Sequence, residues 1–211
     1  KRVAPEGQCL LSAGDMLYLP PEFAHDGIAV DACFTYSIGF RAPSHRELMS
    51  QFLIFMEERL ACDGRYGDPD LSAQTNPARL DERMIAKVAR ILSEISWTRS
   101  EVAEFLGGYL TEPKANVLFA PPRRPLSEMA FSQAARRNGV ELAPASLMLY
   151  DGARLYINGE QSNMDKAMAI PLRRLADRRR LPGRRIPLQD PVTDRLYRWY
   201  RAGYIYLSKS G

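Results

Sequence analysis

The chain has 211 residues, 45% hydrophobic and 26% charged, a balance that suits globular folding and excludes overall disorder. No run approaches the ~18 consecutive apolar residues of a bilayer-spanning helix. A formal charge of +4 makes the chain mildly basic. Three cysteines, Cys9, Cys33 and Cys62, are odd in number, widely spaced and without a Cys-x-x-Cys pair, which supports neither a disulfide framework nor a zinc site and fits a reducing cytoplasm.

Residues 1–42 are predicted to be β-rich. The chain opens on Lys1, and Val3 to Leu11 reads as the middle of a β-domain with no signal-peptide core ahead of it, so an N-terminally truncated piece is expected. Gln8–Ser12 and Met16–Leu19 are short strand candidates separated by the turn-forming Ala13-Gly14-Asp15. Pro20-Pro21 then forms a stiff corner that delivers His25, one of only two histidines. In Cys33–Phe40 the residues alternate: Phe34, Tyr36, Ile38 and Phe40 share one face, Cys33, Thr35, Ser37 and Gly39 the other. A small, polar face in a β-sandwich leaves room for a ligand; it equally packs under a second sheet or meets solvent.

A non-haem iron site of the oxygenase type takes two histidines and one carboxylate on one face. His25 is followed directly by Asp26, and neighbouring side chains on a strand point to opposite faces. The chain is therefore expected to hold at most one ligand of such a set.

From Ala42-Pro43 the pattern turns helical. Ser44-His45-Arg46-Glu47 matches a capping box, which makes His45 a surface residue of a first turn. The helix it opens is expected to run toward Asp63-Gly64, with Leu48, Phe52, Phe55, Met56 and Leu60 on a stripe that Leu53 and Ile54 widen. So broad an apolar surface suggests burial against a second chain. Asn76-Pro77 is expected to open a second helix carrying Leu80, Met84, Val88, Ile91 and Ile95. Thr98-Arg99-Ser100-Glu101 is a second capping box, for a helix expected to end at Gly107-Gly108.

Pro121-Pro122-Arg123-Arg124-Pro125 reads as a linker. Beyond it come a helix over Ser127–Asn138 closed by Gly139, and strands Leu147–Tyr150 and Arg154–Ile157 about an Asp151-Gly152 turn. Asn158-Gly159 marks a further turn; helices follow over 167–178 and from Asp190-Pro191 to Gly203, then a strand over Tyr204–Leu207. Helices, a hairpin and a final strand within about ninety residues suggest a winged helix. Seven arginines fall between 173 and 185, namely Arg173, Arg174, Arg178, Arg179, Arg180, Arg184 and Arg185. The cluster suits a nucleic-acid phosphate backbone, and equally a solvated helix face.

The run Gly14-Asp15-Met16-Leu17-Tyr18-Leu19-Pro20-Pro21, with His25-Asp26-Gly27 and the later Tyr36-Ser37-Ile38-Gly39-Phe40-Arg41-Ala42-Pro43, resembles the closing metal-binding strands of the JmjC-type cupin oxygenases. It is similar in particular to the bacterial ribosomal oxygenases, which hydroxylate an arginine of a large-subunit ribosomal protein. The resemblance implies an α+β fold in three parts: the end of a double-stranded β-helix (a jelly roll, 1–42), a helical dimerisation domain (43–120) and a winged-helix domain (121–211). It implies Fe(II), 2-oxoglutarate as co-substrate, His25 as the distal iron ligand, and Thr35 and Ser37 lining the co-substrate pocket. The family's His-x-Asp pair and its basic 2-oxoglutarate anchor lie upstream in the family order and are absent from this sequence. A nucleic-acid-binding winged-helix protein and a non-catalytic dimerisation fragment are the alternative readings.

Overall fold

The computed structural model describes residues 7–20, 22–39, 42–60, 64–186 and 191–209. Pro21, Phe40, Arg41, Cys62, Asp63 and Asp190, each part of an expectation above, lie outside them. The chain divides into two compact units, Lys1–Ala42 and Pro43–Gly211.

In the first unit the expected strands over 8–12, 16–19 and 33–40 do not form among the described residues. The period-two pattern is present, but a strand also needs a neighbour to take its backbone hydrogen bonds. None of the described residues of this unit supplies one. Its apolar side chains accordingly lie open, Phe34 at 95% and Tyr36 at 89% exposure. The turn at Ala13-Gly14 does form: Gly14 takes φ 96° and the Asp15 N–H donates to the Ser12 carbonyl at 3.0 Å.

The second unit opens with α1 (His45–Glu57), capped by the Ser44 hydroxyl, which accepts from the Glu47 N–H. It ends earlier than expected, because Arg59 folds back over the last turn. The Arg59 guanidinium donates to the Phe55 carbonyl at 3.2 Å, lies on the Phe55 ring and pairs with Glu104 at 3.0 Å. A cation on the free carbonyls of a helix C-terminus is a favourable stop. The next helix, α2 (Glu82–Ser93), starts at Asp81 rather than at Asn76-Pro77. The Asp81 carboxylate accepts from the Arg83 N–H at 2.7 Å, whereas Asn76 closes only a turn through the Arg79 N–H at 3.0 Å. Hydrogen bonds from the Arg83 side chain and backbone hold the Asp81 carboxyl below its usual range.

Helix α3 (Arg99–Thr111) has the expected capping box, with Thr98 and Glu101 satisfying each other's backbone N–H. It runs straight through Gly107-Gly108 to Thr111. Gly107 is there for space, not termination: a Cβ at this position would overlap the ring of Tyr156, a fully buried side chain. Mid-helix glycine costs about 1 kcal/mol relative to alanine, and close ring contact offsets that loss. Toward α1, α3 closes an aromatic cluster in which Phe105 meets Phe52 at 5.3 Å and Phe55 at 5.6 Å.

The remaining elements are α4 (Glu128–Asn138), β1 (Val140–Leu142), β2 (Met148–Asp151), β3 (Arg154–Ile157), β4 (Glu160–Asn163), α5 (Lys166–Arg178), β5 (Arg180–Leu181), a 3-10 turn (Gly183–Arg185), α6 (Pro191–Ala202) and β6 (Ile205–Leu207). Helix α4 matches its expected span, capped by Ser127 and closed by Gly139 at φ 85°. Two antiparallel three-stranded sheets form, one in the order β5-β1-β6 and one in the order β2-β3-β4. The hairpin is the expected one, with Met148 opposite Ile157 and Asp151 opposite Arg154; β4 adds a third strand through the Asn158-Gly159 turn. Phe131, Val140, Leu155, Leu172, Leu196 and Ile205 are completely buried at the centre of one core.

The proline-rich stretch is strapped to this core. Gly203 (φ 78°) lies so close to Ala120 and Pro121 that a Cβ would come within 2.7 Å of their backbone. The Tyr200 hydroxyl accepts from the Leu126 N–H at 3.3 Å, and the Tyr197 hydroxyl donates to the Leu126 carbonyl at 3.0 Å.

Tyr204 gives this packing a pH signature. Its hydroxyl donates to Glu160 at 2.7 Å, and burial, assisted by that carboxylate, pushes its pKa up to about 12. A phenol with a native pKa above its ordinary value of ~10 stabilises the fold fully below pH ~10, and that contribution is lost as the pH climbs toward ~12. Unfolding free energies measured from pH 9 to 12 are expected to fall less steeply for Tyr204→Phe than for the unchanged chain. Equal slopes would contradict the assignment.

Candidate functional site

His25 sits just past a turn in which the Phe23 N–H reaches the Pro20 carbonyl at 3.4 Å and Glu22 adopts φ 71°. Its ring Nδ1 lies 3.0 Å from the Phe23 carbonyl oxygen. A carbonyl only accepts, so Nδ1 carries the proton, and in the neutral ring the lone pair is left on Nε2. That is the tautomer in which a histidine ligates a metal through Nε2 while a backbone group orients the ring. The imidazole is exposed.

Thr35 and Ser37 are also exposed, on a stretch without helix or strand. No hydrogen bond joins either of them to His25 among the described residues. His45-Arg46-Glu47 has the spacing of a His-x-Glu pair but lies in the first turn of α1, where side chains two apart face different directions. The Glu47 carboxylate instead accepts from the Tyr109 hydroxyl at 3.1 Å. Among the described residues no three of histidine, cysteine, aspartate and glutamate gather where they could share a metal ion. The described residues alone therefore do not assemble a ligand set for iron. Cys9 and Cys33 are free and exposed.

The arginine run between 173 and 185 divides by role. The Arg179 guanidinium donates to the Ala143 and Ser146 carbonyls at 2.8 and 3.1 Å, and Arg180 pairs with Glu141 at 3.3 Å. Arg173 donates to the Gly152 carbonyl at 2.6 Å and lies over the Tyr150 ring. Arg174, Arg178, Arg184 and Arg185 form no ion pair among the described residues. The sequence reading missed their companions Arg136 and Arg137 on α4. The signal was available, since buried Phe131, Ala134 and Ala135 force positions 133, 136 and 137 outward at helical spacing.

Helices α3 to α6 around the β2-β3-β4 sheet and the β5-β1-β6 sheet make the second unit an α+β winged-helix structure. Residues 94–206 match the family model described as ROXA-like winged helix, and the chain belongs to that family. Residues 1–48 match the model of the JmjC domain. The chain is 30% identical over 152 residues to the ribosomal protein uL16 3-hydroxylase of Escherichia coli strain K12, an alignment that covers 72% of this chain and 41% of that protein. The chain therefore spans under half the length of the curated relative it matches. The fold resembles the crystal structure of the Escherichia coli ribosomal oxygenase YcfD, with a TM-score of 0.63 at 24% identity over 81% of this chain and 48% of that one. A structure of the same protein in complex with cobalt and 2-oxoglutarate gives 0.62 at 24% identity, over 80% and 47%. No described helix is long and apolar enough to cross a membrane.

Proposed function

We propose that this chain is the C-terminal region of an Fe(II)- and 2-oxoglutarate-dependent oxygenase that hydroxylates an arginine of a large-subunit ribosomal protein in the cytoplasm. The observation that carries the reading is the succession, within one chain, of a match to the JmjC domain and one to the ROXA-like winged helix. A 30% identity to a ribosomal protein uL16 3-hydroxylase supports it. In this reading residues 1–42 contribute closing strands to a double-stranded β-helix, 43–120 serve dimerisation, and 121–211 form the winged-helix domain. When bound, iron and 2-oxoglutarate supply the oxidising chemistry. The chain's own part is to hold the His25 ring with Nε2 free, while Thr35 and Ser37 border the co-substrate. The test is turnover: the full-length gene product, given Fe(II), 2-oxoglutarate and a peptide of the ribosomal protein, converts 2-oxoglutarate to succinate with peptide-dependent stoichiometry. No peptide-dependent turnover overturns the reading.

The apolar surface of α1 and α2 supports the dimer. Met49, Leu53 and Ile54 on α1 and Ile85, Ile91 and Leu92 on α2 are all at least 45% exposed, and α2 buries no residue at all. Exposed apolar side chains concentrated on helices in this way support a partner surface. The chain is expected to sediment as a dimer at micromolar concentration, and Ile91→Asp with Leu92→Asp to shift it to monomer. A wild-type monomer would remove the dimer from the proposal.

A further inference from the structure

The unpaired arginines converge on one feature, the 3-10 turn Gly183–Arg185. On one side Arg184 lines a hollow with Arg136 and Arg137 from the last turn of α4; on the other Arg185 lines a second with Arg174 and Arg178 of α5. Glycine makes the first possible, because a Cβ at Gly183 would overlap the Arg136 carbonyl. The fold thus places six guanidinium groups from three elements around a few residues, without an ion pair to any of them among the described residues. The one carboxylate in the second hollow, Asp177, is occupied by the Tyr150 hydroxyl at 3.2 and 3.3 Å. The Nε–H groups of Arg173 and Arg174 are buried without an acceptor. Among the described residues the six guanidinium charges are left without a counter-charge, which a polyanion would supply.

We propose that these two hollows form a binding surface for the phosphate backbone of single-stranded RNA. Guanidinium groups take phosphate oxygens in pairs, which suits a site built from arginine rather than lysine. The six arginines come from the ends of two helices and the turn Gly183–Arg185 and line concavities rather than the face of a single projecting helix, so a flexible backbone that can follow both hollows fits them better than a straight duplex. The Tyr150 ring, half-open with Arg173 across it, adds a stacking platform at the edge of the second hollow. The inference goes beyond the oxygenase reading, and RNA binding requires neither iron nor co-substrate.

The test is fluorescence anisotropy of a labelled mixed-sequence single-stranded RNA titrated with the whole 211-residue chain. Binding is expected to weaken by a factor on the order of a hundred or more between about 50 and 200 mM salt if some six phosphates are neutralised. Arg136→Glu with Arg184→Glu, two exposed side chains, is expected to weaken it at least about tenfold. Arg65→Glu with Arg90→Glu changes net charge equally on exposed positions outside both hollows and is expected to stay within about twofold. Equal losses in the two double variants would reduce the effect to overall charge and overturn the site. Tighter binding to duplex DNA, or equal binding to polyglutamate, would overturn the assignment to RNA, and so would no binding at low salt.

Discussion

His25→Ala in the full-length gene product is expected to abolish peptide-dependent 2-oxoglutarate turnover, a loss of at least about a hundredfold. Removing a residue that merely orients a metal ligand costs roughly 10–100-fold in metal affinity or activity, and deleting a ligand exceeds that. The geometry explains why no neighbour substitutes. The ring is oriented by a carbonyl only two residues back, Phe23, so its aim depends on local backbone and not on surrounding side chains. Iron binding is the second readout: the variant is expected to hold ferrous iron more weakly by equilibrium dialysis, with an unchanged circular-dichroism spectrum. Retained turnover would remove His25 from the site, whatever the fate of the rest of the assignment.

The largest stability effect is expected at Phe131. Its side chain is fully buried, stacked on Tyr200 at 4.8 Å and tilted against Tyr197 at 5.5 Å, so that it joins α4 to α6 at the centre of the winged-helix core. Alanine there leaves a ring-sized void between two helices held apart by other contacts, with a cost of about 3–5 kcal/mol in unfolding free energy. Denaturant titration followed by far-ultraviolet circular dichroism reads it directly. A loss below about 1 kcal/mol would mean that the two helices close over the gap, contrary to the close-packed core described above.

What could be read from sequence followed the range of the interaction that decides each element. The Ser127 cap, the Thr98 and Glu101 capping box and the turn between Tyr150 and Arg154 are each determined within a few residues, and the elements start where expected. Strands β1, β4 and β5 are short, and β1 and β5 owe their existence to distant partners, as Val140 pairs with Leu181 on one side and with the still more remote Leu207 on the other. Nothing local announces them. Gly107-Gly108 misled for a related reason: read alone the pair stops a helix, and only the Tyr156 ring, packed from a distant strand, shows why glycine stands there. At the candidate site, the Pro-Pro corner singles out His25 in the sequence, and among the described residues no group of three metal-ligating side chains gathers. Helical spacing puts Arg136 and Arg137 on the outer face of α4, but their meeting with the 173–185 run is made by the fold.

The fastening at the C-terminal end of α3 carries a mechanical consequence. The Thr111 hydroxyl donates to the Gly107 carbonyl at 2.7 Å and accepts from the Gly159 N–H at 3.1 Å, while Asn158 beside it ties to Leu147 and Ser146. One helix is thereby riveted to the hairpin at its base while its other flank meets the Phe52 and Phe55 rings. A displacement of α3 would therefore draw the β2-β3-β4 sheet along with it, as a spoke turns its rim.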